Sequence, residues 1–313
     1  MSDGLDGDEA ERVATDGAGD DAGGMGDTGD NANDESADAP AAASLDRGDL
    51  SPEQQVALEE LLFRLADDEF VHAERLTEWQ IFAPTIESDL ALANVAQDEF
   101  GHARLWYDLL QELGYSEEEC IWRRPADDWT HATLVERPFA DDGWGDAIVR
   151  TYLYDVAERI RLEALVDTSY APLADRVGKA LAEEEYHREH ALSWLERLAS
   201  DDDARERLQA AVDDLFPHAL SLFYPGEREA EIRAAGFRRE SLASMREEWL
   251  DTVVPSLEGY GLVVPEPDEV DRPDARGRDG SHTDDWFDLR EAFTETHREV
   301  DFETPARLRG EEA

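Results

Sequence analysis

Between Leu50 and residue 113 apolar positions recur at alternating steps of four and three, first as Leu58, Leu62, Leu65, Leu76 and Trp79, then as Val95, Trp106, Leu109 and Leu113. That spacing marks one stripe along a helix face. Ser51-Pro52-Glu53 supplies an N-cap followed by proline at the first helical position, Ala83-Pro84-Thr85 interrupts the pattern, and Gly114 is a natural stop for a second helix over about 88–113. Residues 115–145 hold Pro125, Pro138, Gly143 and Gly145 among several aspartates and read as a long irregular connection. The period returns over about 147–169 (Val149, Leu153, Val156, Ile160) and, past Ala171-Pro172, over about 173–199 (Leu173, Val177, Ala180, Ala191, Leu198). Further helices are predicted over about 203–223, 239–257 and 284–300, with a Pro/Gly/Asp linker at 265–280. No segment alternates convincingly with period two, so the expected fold class is all-α, two helix pairs separated by a long crossover.

Three of the apolar stripes are interrupted by polar pairs. Glu69 and His72, Glu99 and His102, and Glu184 and His187 each fall three residues apart, where both side chains point the same way. With eight histidines in the chain, about one Glu-x-x-His is expected by chance; three occur, each on the apolar face of a long helix. A carboxylate in such a seam is costly unless a cation or hydrogen bonds compensate it. Ferritin-like bundles meet that cost with two metal ions, held by one carboxylate on each of two helices and Glu-x-x-His on the other two. Glu69 precedes Glu99 by 30 residues, and 29 residues before Glu184 stands Asp155. The chain thus reads as two related halves of a ferritin-like four-helix bundle with additional C-terminal helices. Its expected ligands are Glu69, Glu99, His102, Asp155, Glu184 and His187, with Glu158 and Glu163 as alternatives to Asp155. His72 is then surplus, a core or supporting histidine, and Asp98 and Glu183 stand where partners of the ligands would be. Oxygen and imidazole donors without thiolate suit iron or manganese better than structural zinc.

Composition narrows the class. Lys+Arg is 29 against Asp+Glu 78, a net charge of −49, and Lys179 is the only lysine. Such a field repels phosphate backbones and anionic lipid, which argues against nucleic-acid and membrane-surface partners. The 41% apolar content and eight tryptophans argue for a real core, so the charge reads as a carboxylate surface suited to high salt, similar to that of halophilic archaeal proteins. Residues 1–48 are rich in Asp, Gly and Ala, carry only Arg12 and Arg47 as basic residues and have no aromatic; they are expected to be a disordered acidic tail. The bundle is expected over 49–264, and 265–313 as a linker and helix packing on the bundle or a partner. Cys120 stands alone, so no intrachain disulfide is expected. No bilayer-length apolar run and no signal-peptide pattern occur, so a cytoplasmic protein is expected. No Gly-x-Gly-x-x-Gly follows a strand, so electrons for redox chemistry would come from another chain.

Several separated motifs carry a resemblance. Glu78-Trp79, Ala83-Pro84, Leu90-Ala91-Leu92-Ala93-Asn94, Gly101-His102-Ala103-Arg104, Val135-Glu136-Arg137-Pro138, Trp194-Leu195-Glu196-Arg197-Leu198 and His282-Thr283 look like the C-type helical subunit of phenylacetyl-CoA epoxidase. Gln97-Asp98-Glu99-Phe100-Gly101-His102, Thr168-Ser169-Tyr170-Ala171-Pro172, Glu183-Glu184-Glu185-Tyr186-His187 and Thr252-Val253-Val254-Pro255 look like its A-type, catalytic subunit. The sequence therefore resembles the helical oxygenase subunits of that family over roughly residues 55–300. The resemblance implies a di-iron monooxygenase that epoxidises the aromatic ring of phenylacetyl-CoA with O2 in phenylacetate catabolism, with electrons from NAD(P)H through a separate reductase and with further epoxidase subunits as partners. The A-type metal motif maps onto Glu69, Glu99, His102, Asp155, Glu184 and His187. C-type subunits of the family have lost most of these ligands and serve as structural partners, whereas this chain keeps all six. The alternatives are a structural subunit of the same complex and a ferritin-like iron store or peroxide scavenger.

Overall fold

A computed structural model of the chain describes residues 44–139 and 143–300. The acidic segment expected to be disordered therefore lies outside the described residues except for 44–48. There, Leu45 exchanges backbone hydrogen bonds with Ser169 and Ala171 at 2.7 and 3.0 Å, and a 3-10 turn follows over Arg47–Asp49. Helix α1 spans Pro52–Trp79 and α2 spans Ile86–Leu113. The first starts in a reciprocal cap: Ser51 Oγ accepts from the Gln54 N–H at 3.2 Å while Gln54 Oε1 accepts from the Ser51 N–H at 2.9 Å. The second is capped by Thr85 Oγ1 and ends where Gly114 adopts φ 121°, a conformation open to glycine.

The 115–143 crossover is more structured than its composition predicts. It contains a π-turn over Glu118–Trp122, a 3-10 turn over Ala126–Asp128 and the single-turn helix α3, Thr133–Glu136. It also buries Trp129 completely, against Phe70, Trp286 and Phe293. Helix α4 spans Trp144–Glu163, six residues short of the predicted end. Its continuation is diverted because the Ser169 N–H and Oγ bond the carbonyls of Gly236 and Ala235 at 2.9 and 2.7 Å. Helices α5 (Ala171–Ala199), α6 (Asp202–Ala219), α7 (Glu229–Ala234), α8 (Leu242–Gly259) and α9 (Asp284–Val300) complete the chain, and the described residues form no strand. The hairpin α1–α2 packs against the hairpin α4–α5, chiefly through α2 and α5, while α6 and α8 cover α4. This is the all-α, ferritin-like arrangement expected, with α7 an addition that the apolar pattern did not mark. Among the described residues no helix is long and apolar enough to cross a membrane.

The segment leading into α9 is laid against the crossover. Gly277 and Gly280 have φ of 71° and 78°, and a Cβ on either would stand 2.1 Å from the carbonyl oxygen of His131 or Asp127. This close approach brings His282 to Glu136. His131 Nε2 and His282 Nδ1 lie 2.8 and 2.7 Å from Glu136 Oε2, and the Thr283 N–H donates to Oε1 at 2.8 Å. His282 Nε2 donates to the Trp129 carbonyl at 2.9 Å, so that nitrogen carries a proton. Burial would raise the Glu136 carboxyl, but the hydrogen bonds from His131 and His282 outweigh it and hold the pKa at about 2.

A carboxyl depressed in this way stabilises the fold above its ordinary value of 4.5. That stability is lost as pH falls through 4.5 towards 2. On the order of 3 kcal/mol is at stake near neutral pH. In urea unfolding, Glu136→Gln is expected to lower stability at pH 7 and to converge on the parent protein as pH approaches 2. A gap independent of pH would show that packing, not the ionised carboxylate, holds this junction.

Candidate metal centre

All six sequence-predicted ligands meet inside the seam between the two hairpins, and each is essentially inaccessible to solvent. Helix α1 contributes Glu69, α2 Glu99 and His102, α4 Asp155, and α5 Glu184 and His187. Donor atoms of Glu69, Glu99 and His102 lie within 4.8 Å of one another, and so do those of Glu99, Asp155 and His187. Glu99 thus belongs to both groups. Glu184 occupies the matching position, its Oε1 standing 3.5 Å from His102 Nδ1 and 3.7 Å from His187 Nδ1. The two Glu-x-x-His glutamates lie between the halves, and Glu69 and Asp155 lie to either side. Of the other acidic residues on α4, Glu158 stands beside Glu69 but is paired with Arg161, and Glu163 is exposed and paired with Arg159.

The histidines are braced across the seam. His102 Nε2 lies 2.8 Å from Glu183 Oε2 on α5, and His187 Nε2 lies 3.3 Å from Asp98 Oδ2 on α2. Glu183 and Asp98 are partly exposed and accept the Nε2 protons, which in the neutral imidazoles leaves the Nδ1 lone pairs facing the cluster. Both acidic residues directly precede a ligand glutamate, as the sequence pattern suggested. Trp106, on the apolar stripe of α2, donates its Nε1–H to Glu69 Oε1 at 3.3 Å. His72 is buried with its Nδ1 4.0 Å from Glu99 Oε1, its ring edge-on to Tyr154, and burial together with Arg150 keeps it well below the usual imidazole pKa.

What the cluster lacks is an arginine or lysine partner. Glu69 Oε2, both oxygens of Glu99, Asp155 and Glu184, and the Nδ1 atoms of His102 and His187 have no hydrogen-bond partner. Burial raises the Glu69 carboxyl with Glu99 adding to it, and burial drives Asp155 and Glu184 well above the ordinary carboxylate range, again with Glu99 contributing. The histidines move the other way from what burial favours. Glu69 outweighs burial to lift His102 to about 10, and the nearby Glu99 carboxylate, 3.5 Å from Nδ1, lifts His187 to about 9. Without cations, protons would have to supply the compensation. Two divalent ions would balance four carboxylates and use both Nδ1 lone pairs, so the donor set fits a two-metal centre of hard or borderline cations. Among the described residues the remaining His/carboxylate group is His131, Glu136 and His282, where both histidines hydrogen-bond Glu136 Oε2.

The family described as "Phenylacetic acid catabolic protein" matches residues 44–303. The chain is 30% identical over 224 residues to the C-type subunit of 1,2-phenylacetyl-CoA epoxidase from Escherichia coli (strain K12), covering 71% of this chain and 88% of that protein. It is 28% identical over 195 residues to the A-type subunit of the same epoxidase, covering 61% of this chain and 62% of that protein. The match thus spans less than two thirds of the A-type relative.

If Asp98 and Glu183 set the tautomers, Asp98→Ala and Glu183→Ala should each weaken divalent-metal binding about 10- to 100-fold with helix content unchanged. Competition with a chromophoric chelator, followed alongside circular dichroism, measures both. Unchanged affinity in both variants would remove these residues from the site.

Proposed function

The chain belongs to the phenylacetic acid catabolic protein family, and we propose that it is a catalytic oxygenase subunit of a multicomponent di-iron monooxygenase acting on phenylacetyl-CoA. The observation that carries this reading is the uncompensated six-residue donor set, complete on four helices and buried between two hairpins. The curated relatives are named as epoxidase subunits, which supports ring epoxidation as the reaction. A bound iron pair would supply the redox chemistry by which O2 gives one atom to the aromatic ring as an epoxide and the other to water, using two electrons from NAD(P)H passed by a separate reductase. Glu69, Glu99, Asp155 and Glu184 would hold the metals through carboxylate oxygens, and His102 and His187 through Nδ1. Asp98 and Glu183 keep the Nε2 protons on the outer edge of each imidazole. The six side chains, and Trp106 bonded to Glu69, are each no more than 1% exposed, which keeps water from the centre.

The longer match to the C-type relative favours a second reading, a structural partner within the same assembly. In either role, other epoxidase subunits are the proposed partners. Ile81, Phe82, Ile86 and Leu90 around the α1–α2 turn are exposed between 59% and 80%; an apolar patch of this kind suits burial by another subunit. The excess of surface carboxylate supports work in a cytoplasm of high ionic strength.

Protein purified aerobically in molar potassium chloride should contain about two irons per chain. Glu99→Ala, which removes the carboxylate shared by both groups, should lose most of that iron. Reconstituted with its partner subunits and reductase, it should also lose at least a hundredfold in phenylacetyl-CoA-dependent NAD(P)H oxidation. Iron-free parent protein, or full complex activity from Glu99→Ala, would leave the structural role standing. Ferroxidase activity independent of any CoA thioester would point to iron storage instead. Phe82→Asp and Ile86→Asp should keep the iron yet weaken co-purification with the partner subunits; intact assembly would move the interface elsewhere.

A further inference from the structure

Next to the carboxylate cluster, but separated from it by the Glu158–Arg161 pair, four arginines converge on one small cavity. Arg64 from α1, Arg161 from α4, Arg238 before α8 and Arg278 before α9 are each no more than 7% exposed, and they line a space of about 20 Å³ whose remaining walls are apolar, among them Leu165 and Met245. Roughly 10–15 Å³ is what one water requires, so the space admits a water or a monatomic ion and is too small for a tetrahedral oxyanion.

The guanidiniums around it outnumber the carboxylates in direct contact with them. Asp68 is bound by Arg161 and by both Nη atoms of Arg278, Glu158 pairs with Arg161, and Glu229 pairs with Arg238 and lies 3.7 Å from Arg64 Nη1. Four guanidiniums thus make direct ion pairs with three carboxylates, and the charge of Glu60 also reaches Arg64. The donors are also incompletely used: Nε of Arg64, Arg161 and Arg278, and Nη1 of Arg64, have no hydrogen-bond acceptor. Burial and then the charges of Arg278 and Arg238 outweigh Glu229 and Glu60 and depress the Arg64 pKa to about 9. A water offers two acceptor lone pairs and no charge. A halide accepts from several directions, carries a charge opposite to the guanidiniums, and as a monatomic ion fits a space of this size.

We propose that this cavity is a structural binding site for one small monovalent anion of the halide class, tying α1 and α4 to the segments that precede α8 and α9. The site is independent of the metal centre and of the reaction assigned above.

Thermal unfolding of the full chain tests it, with potassium chloride or bromide replacing potassium acetate at constant ionic strength so that screening is held fixed. Halide should raise the midpoint saturably, by about 5 °C at a hundredfold excess over the dissociation constant. Met245→Phe fills the cavity without touching a charge and should abolish the saturable rise, as should Arg64→Met; any general salt response stays common to all three proteins. Crystals grown in bromide should show one anomalous peak among the four guanidiniums. A parallel halide response in the parent and in Met245→Phe, or no peak at saturating bromide, would overturn the proposal and leave a water in the cavity.

Discussion

Four carboxylates and two imidazoles share a dry seam with no arginine or lysine among them, and much of the molecule is arranged around that fact. An isolated buried carboxylate is expensive, and several together more so. The fold does not relieve the cost with arginine, although arginines lie one turn away. Arg161 is turned to Asp68 and Glu158, and Arg150 to Asp146 and the carbonyls of Leu134, Arg137 and Pro138. Guanidiniums in the seam would neutralise the cluster and occupy the lone pairs a metal needs. Keeping them one layer out preserves the donor set.

That outer layer stabilises the rest of the structure. Asp67 gathers Arg124, Tyr107 and the Thr130 backbone and hydroxyl, and Asp68 gathers Arg161, Arg278 and the Ala132 N–H. Against the burial that would raise it, Arg278 and Arg161 hold the Asp68 carboxyl far below its ordinary value. Two adjacent residues of α1 therefore anchor the crossover, α4 and the approach to α9, while the next residue, Glu69, points to the carboxylate–histidine cluster. In a chain with 28 arginines and one lysine, these anchors use the residue whose planar fork serves bidentate, buried pairing best. The arginines inside and the carboxylates outside are separate solutions to separate problems, which a net charge of −49 conceals.

The four bundle helices were legible because caps, breakers and a sustained period agree locally. The ends of α4 and the existence of α3 and α7 were not, since they depend on hydrogen bonds to distant segments: Ser169 to Ala235 and Gly236, and Glu136 to His282. The metal-ligand candidates were legible for a related reason. A helix puts residues three apart on one face, so Glu-x-x-His on an apolar stripe announces both its orientation and its anomaly. Asp155 could be set apart from Glu158 and Glu163 only by position: the fold turns Glu158 towards Arg161 and leaves Glu163 in solvent.

By itself, then, the sequence determined the helices, the seam and the residues that do not belong in it, because periodicity is a local property. Tertiary structure alone decided which nitrogen of each histidine faces inward, since Glu183 and Asp98 reach His102 and His187 only when α2 and α5 lie side by side. It alone placed Glu99 in both donor groups and Glu184 between His102 and His187. It alone brought Arg64, Arg161, Arg238 and Arg278, which span more than 200 positions of sequence, to one cavity. Charge balance and donor direction depend on what lies opposite, and no stretch of chain carries that information until the hairpins pack.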